Sequence, residues 1–196
     1  MKDKVIFFIL IVTIISLFFL VQRNNKRSEP VNSSAAPPII TPVQIETTNV
    51  MDSPDGSLKL ILEEKNGLQT IFVTTIPEGQ KVQIYKKETA GHKLEIPYNT
   101  WSPDNIYFFL KEKTPAINNY LVFQSSGNIF ASDSPYLSVQ ELFRNKVPNY
   151  AIEDITGWAA PNLLLINARM ITEDKKASFW FEVPSQLFIQ LGTYFK

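Results

Sequence analysis

NTWSPDNIYFFL, residues 99–110, joins a tryptophan, a Ser-Pro-Asp-Asn turn and five consecutive apolar or aromatic residues. A similar piece, MDSPDGSLKLIL, starts at Met51, and a weaker one, GWAAPNLLLI, starts at Gly157. Recurrence of one unit along a chain is the mark of repeat architecture. In Ser53-Pro54-Asp55-Gly56 the proline suits the second position of a type I turn. The serine hydroxyl there can accept a local backbone N–H, and glycine tolerates the conformation that follows. The turn is thus read as the launch of a strand. Trp101, placed before the second copy, is large enough to fill space between neighbouring sheets, and the third copy keeps Trp158 and Asn162 around Ala159-Ala160-Pro161.

Working outward from these turns, β signals dominate from Met51 onward. Leu58 to Leu62 alternates around Lys59, Asn66-Gly67 is a two-residue hairpin signal, and Gln69 to Thr75 is rich in β-branched and aromatic residues. Lys81 to Glu88 alternates, and Lys93 to Ile96 follows the Ala90-Gly91 turn, so the pattern reads as four short strands. A second round is expected at Ile106 to Lys111, Tyr120 to Gln124 and a short piece around Ile129. The third comprises Leu163 to Ile171, Ala177 to Val183 and Leu187 to Leu191. Ile106 to Leu110 and Leu163 to Ile166 are apolar on both faces, as strands between two other layers are. Leu58 to Leu62, interrupted by Lys59, has one wet face, which makes the first unit terminal.

Leu137 to Lys146 departs from the pattern. Ser138 and Glu141 stand at capping-box spacing, and Leu137 and Leu142 are placed as a hydrophobic staple, which predicts a short helix ending before Pro148. Its expected role is to cover a sheet edge, as β-domains generally require.

Residues 82–112, VQIYKKETAGHKLEIPYNTWSPDNIYFFLKE, resemble the WD40-like propeller repeat of TolB-type proteins. In that repeat a strand ending in Ile-Tyr or Ile-Trp is followed by a glycine turn, another strand, then Trp-Ser-Pro-Asp-Gly and an apolar strand. Ile84-Tyr85, Gly91 and Trp101 to Asp104 fill those places, and Phe179-Trp180 with Leu187 to Leu191 resembles the closing half of another copy. The first copy lacks the tryptophan and the third lacks Ser-Pro-Asp. The resemblance implies four-stranded antiparallel sheets and, in the family, scaffolding, protein binding or shielding of a hydrolase domain. Closed propellers take about 4 to 8 blades, and residues 51–196 have room for about three. The expected class is therefore all-β, with about three blade-like antiparallel sheets in an open or partial propeller. A compact β-sandwich is the alternative.

Before this domain stands Val5 to Val21, VIFFILIVTIISLFFLV, with Thr13 and Ser16 as its only polar members. Seventeen residues fall at the short end of the roughly 17 to 25 that cross a bilayer core, and no small-residue cleavage site follows closely. The stretch reads as an uncleaved signal anchor through which the chain contacts the membrane, after a short cytoplasmic end at residues 1–4. Two basic residues precede it and three follow, but long domains translocate largely regardless of charge, so the C-terminal domain is expected outside the cytoplasm. Residues 22–50 form a proline-rich spacer, with four prolines between Ser28 and Val50 and no glycine.

The charges balance at 19 basic and 19 acidic residues. Five of the former and three of the latter lie in residues 1–50, leaving 14 and 16 beyond. No basic face is available to neutralise phosphates, which argues against a nucleic-acid partner. The absence of cysteine excludes disulfides, thiol catalysis and cysteine-based metal sites. His92, the only histidine, sits beside Gly91 in a hairpin with no nucleophile motif near it, and reads as a surface turn residue. Asp52, Asp55 and Asp104 lack the spaced oxygen ligands of a calcium loop and read as turn formers. Glu63-Glu64 and Glu173-Asp174 read as solvated hairpin ends, and Trp101, Trp158 and Trp180 as core. No catalytic, cofactor or metal residue is assigned, and no cofactor is expected. The functional expectation is a single-pass, membrane-anchored, extracytoplasmic, non-catalytic binding or scaffold module with a protein partner or self-association. The alternatives are an accessory subunit of an envelope secretion or transport assembly, and a cryptic hydrolase.

Overall fold

The structure, a computed structural model, describes residues 46–77 and 79–195. The segment read as a membrane anchor, residues 5–21, and most of the spacer lie outside the described residues. Among those described, no helix is long and apolar enough to cross a membrane.

Among the described residues, twelve strands form three four-stranded antiparallel sheets, each built from strands consecutive in sequence, and one helix joins the second sheet to the third. The first sheet contains β1 (Thr47–Asp52), β2 (Leu58–Lys65), β3 (Leu68–Thr75) and β4 (Val82–Glu88). The middle sheet contains β5 (Lys93–Glu95), β6 (Tyr107–Lys113), β7 (Asn118–Gln124) and β8 (Tyr136–Ser138). Helix α1 (Val139–Lys146) leads to the third sheet, β9 (Tyr150–Ala160), β10 (Leu163–Met170), β11 (Lys176–Glu182) and β12 (Leu187–Gln190).

The middle sheet is covered on both faces. Successive side chains of a strand point to opposite faces, so Phe108 and Leu110 of β6 join Leu121 and Phe123 of β7 in one core with Leu60, Leu62, Ile71 and Val73 of the first sheet. Phe109, Tyr120 and Val122 point the other way, into a second core with Leu164, Ile166, Phe179 and Phe181 of the third. Phe108, Phe109 and Leu110 are 0% exposed, as the double-faced apolar pattern of this stretch predicts. Burial of each such side chain contributes about 1.5–3 kcal/mol.

Polar side chains fasten the layers where the cores end. Gln69 of β3 reaches across to β5, donating from Nε2 to the Leu94 carbonyl at 3.2 Å and accepting the Leu94 N–H on Oε1 at 2.7 Å. The Tyr120 hydroxyl donates to Asp154 Oδ1 on β9 at 2.8 Å, and burial together with this carboxylate raises the phenol's pKa. Because a buried polar group without a partner is costly, these bonds fix which residues face each other across the layers.

Several expectations need correction. Lys93 to Ile96 belongs to the middle sheet, where Lys93 pairs with Lys113, and not to the first. The fourth strand of the first sheet is β1, which begins at Thr47, inside the stretch read as spacer, and pairs with β2 from Thr47–Glu64 to Asp52–Lys59. Its TTNVMD sequence carries little apolar periodicity because the strand lies at an edge with most side chains exposed. Ile129 is in a loop and exposed, and the fourth strand of that sheet is β8 instead. Leu163 and Leu165 remain partly exposed, since among the described residues no further sheet covers the outer face of the third. Trp180 shares that face and lies outside both cores.

The helix forms where its caps predict. Ser138 Oγ accepts the Glu141 N–H at 3.4 Å, and Phe143 packs edge-on against Phe179 and Phe188 of the third sheet at 5.1 Å from each. The C-terminal tail folds back on the outer face of that sheet. There the Phe195 N–H donates to Ser178 Oγ at 2.9 Å, and Asn167 Nδ2 donates to the Phe195 carbonyl at 2.7 Å.

Candidate functional site

The Ser-Pro-Asp turns adopt one hydrogen-bonded form twice. In the first, the Gly56 N–H donates to the Ser53 carbonyl at 2.9 Å, the Leu58 N–H to Ser53 Oγ at 3.0 Å and Ser53 Oγ to Asp55 Oδ1 at 2.8 Å. In the second, the equivalent bonds run from Asn105 N–H to the Ser102 carbonyl at 3.0 Å, from Tyr107 N–H to Ser102 Oγ at 3.0 Å and from Ser102 Oγ to Asp104 Oδ1 at 2.7 Å. Gly56 and Asn105 close the two turns at φ +71° and +60°, a region open to glycine and tolerated by asparagine. Asp55 also accepts the Ser57 N–H, and this bond, with those from the Ser57 and Ser53 hydroxyls, lowers its pKa to about 2. Both aspartates are thus held by turn bonds.

These turns bring the ends of β1, the segment after β5, and β9 together, and a second repeated device ties them. Trp101 donates its indole N–H to the Met51 carbonyl at 3.2 Å, and Trp158 donates to the Thr100 carbonyl at 3.0 Å. Met51 and Thr100 occupy the same place in their repeats, each two residues before the turn serine, so each tryptophan links its sheet to the preceding one by the same bond. Asp52 stands where a tryptophan would be in the first copy. Trp101 is buried against Phe108 at 5.4 Å, and half-buried Trp158 stacks on Tyr107 at 6.2 Å.

Over this junction lies a cleft of about 560 Å³ lined from all three sheets, with Met51, Asp52 and Pro54 on one side. Tyr98, Asn99, Trp101 and Pro103 contribute from the second repeat, and Thr156 to Trp158 with Leu165 from the third. Residues 96–100 cross to the third sheet, where Asn99 Nδ2 donates to the Thr156 carbonyl at 3.1 Å. Gly157 permits this approach. Its φ is +138°, and a Cβ there would meet Asn99 Cβ at 2.8 Å. The anchored loop holds Tyr98 outward at 88% exposure, the highest among the exposed large apolar residues described. Among the described residues no hydrogen bond or ring contact accounts for that side chain, and Asp52 is the one charged member of the lining.

The other singled-out residues serve structure. His92 is half-exposed in its turn, and its Nδ1 lies 3.2 Å from Glu112 Oε1. Glu112 is 5% exposed and also receives Lys87 and the Asn119 amide, so the group fastens the first sheet to the second. Glu63 pairs with Lys81, and Asp174 with Arg169. Among the described residues no cluster of histidine and acidic side chains could hold a metal ion. Tyr98 and Asn99 escape sequence reading because they fall in an aperiodic loop. The signal available was IPYNT, an aromatic beside a proline with no strand to belong to.

No family model matches the chain, and none of the curated proteins matches it either.

Proposed function

We propose that the protein is a non-catalytic binding or scaffold module, tethered to the membrane through Val5 to Val21 with its β-domain outside the cytoplasm. Its three sheets are read as blades of a partial propeller of the TolB type, which the repeated turn and the repeated indole bond support. Exposure of Tyr98 on an anchored loop above a cleft shared by all three sheets carries the reading. An aromatic side chain carried on an anchored backbone at a concave surface supplies large contact area with only two side-chain torsions to fix, and binding sites favour such places. The lining contributes one carboxylate, whereas glycoside hydrolysis uses a pair, so the cleft suits binding better than acid-base chemistry.

The alternative, an accessory subunit of an envelope secretion or transport assembly, draws support from the outer face of the third sheet. Leu165, Trp180 and Ile189 lie in one row across β10, β11 and β12, with exposed Leu187 in the next. Such a face suits a protein partner or a second copy.

A photo-reactive amino acid at position 98 of the full-length protein in intact cells tests the binding reading. Cross-linking to one discrete species from position 98, but not from exposed position 86, is the expected result. Equal, diffuse labelling from both positions would refute it. Retention of the full-length chain in the membrane pellet after alkaline washing tests the tether.

A further inference from the structure

We propose that the cleft receives a basic peptide segment, with a lysine or arginine side chain set against Asp52 and across the ring of Tyr98. This rests on the binding-module reading and names the chemistry of its ligand. The indole N–H groups of the walls are already spent on main-chain carbonyls, and Asn99 Nδ2 gives one of its two N–H groups to the Thr156 carbonyl. The lining is left with aromatic, prolyl and aliphatic surface, the hydroxyls of Tyr98 and Thr156, the Asn99 Oδ1 acceptor and the Asp52 carboxylate. Asp52 joins none of the ion pairs among the described residues. Among the described residues no lysine, arginine or histidine lines the cleft.

An anionic ligand, whether phosphate, acidic peptide or acidic glycan, would meet this carboxylate with no cation to offset it. A cationic side chain meets the reverse situation. An ammonium or guanidinium is attracted to the face of an aromatic ring within about 6 Å and forms charge-assisted bonds to a carboxylate. The aliphatic stem of the same side chain covers apolar surface while its head stays polar, which matches a cleft whose described lining is largely apolar with one carboxylate. Pro54 and Pro103 add flat apolar surface beside the rings. A volume of about 560 Å³ accommodates a few residues of extended chain rather than a folded domain. A neutral sugar could stack on Tyr98 and donate its hydroxyls to Asp52, but only a cationic side chain also neutralises the carboxylate.

The test is calorimetric titration of the full-length protein in detergent micelles with trilysine, triglutamate and N-acetylchitotriose. Asp52→Asn and Tyr98→Ala are the variants, both at exposed side chains, with circular dichroism as the check on folding. Saturable trilysine binding is expected, weakened about tenfold or more by either variant and by added salt, with no binding of triglutamate. Trilysine binding unchanged by Asp52→Asn would overturn the proposal. Tyr98-dependent binding of N-acetylchitotriose without trilysine binding would also overturn it, while leaving the cleft a binding site. If no probe binds and position 98 cross-links to nothing discrete, both this proposal and the binding reading fall.

Discussion

Trp101 does two things with one side chain: its ring fills the junction beside Phe108, and its N–H fastens the middle sheet to the Met51 carbonyl. Trp101→Ala is expected to destabilise the protein by about 3–5 kcal/mol, combining lost burial with a cavity. Trp101→Phe keeps most of the ring but strands the acceptor, for a loss of about 1–3 kcal/mol. Tyr98→Ala, three residues away but outside the packed interior, should change stability by about 0.5 kcal/mol or less. Urea denaturation of the three variants checks the order. Asp55 gives a pH-dependent counterpart. Its folded-state pKa of about 2 lies below the ordinary aspartate range, so its contribution is present above about pH 4 and fades as pH falls toward 2. The stability advantage of wild type over Asp55→Asn should therefore shrink across that interval. An advantage constant from pH 6 to pH 2 would show that the carboxylate does not hold the turn.

Strands were legible where burial imposed a period. β2, β3, β6, β7, β10 and β11 have apolar sets on defined faces, and the Asn66-Gly67 hairpin closes with both residues at positive φ, +54° and +74°, as its sequence requires. β1, β8 and β9 were not legible, for physical reasons. β1 and β9 are edge strands of their sheets, and β9 shifts register against β10 at three places, which breaks its alternation. β8 is only three residues long. The grouping of β5 with the first sheet failed because sheet membership depends on pairing across sequence, and local pattern carries no information about partners. Helix α1 was legible through its caps, and Ser138→Ala should cost about 0.5–2 kcal/mol of stability. A thermal melt indistinguishable from wild type would mean that the cap contributes nothing. The cleft was not legible at all. It depends on Asn99 meeting Gly157 across 58 positions of sequence, a contact that exists only once the sheets are stacked.

The three sheets differ in what covers them, and the layering governs how the molecule should behave. The outer face of the first carries a row of Val50, Ile61 and Phe72, over which Lys81 folds, 3.8 Å from the Phe72 ring centre and paired with Glu63. The outer face of the third is covered in part by the C-terminal tail, through Phe195 on Ser178 and Asn167. Only the middle sheet is enclosed on both sides, with Phe108, Phe109, Leu110, Val122 and Phe123 fully buried. A two-layer sandwich would leave one face of every strand wet. Amide hydrogen exchange of the full-length protein in detergent micelles distinguishes the two arrangements, because backbone bonds enclosed between two cores open only with the whole domain. The amides of β6 and β7 are expected to exchange last, at the rate of global unfolding, well behind those of β1 and β12. Exchange in β6 and β7 as fast as in β2, β3, β10 and β11 would contradict the enclosed middle sheet.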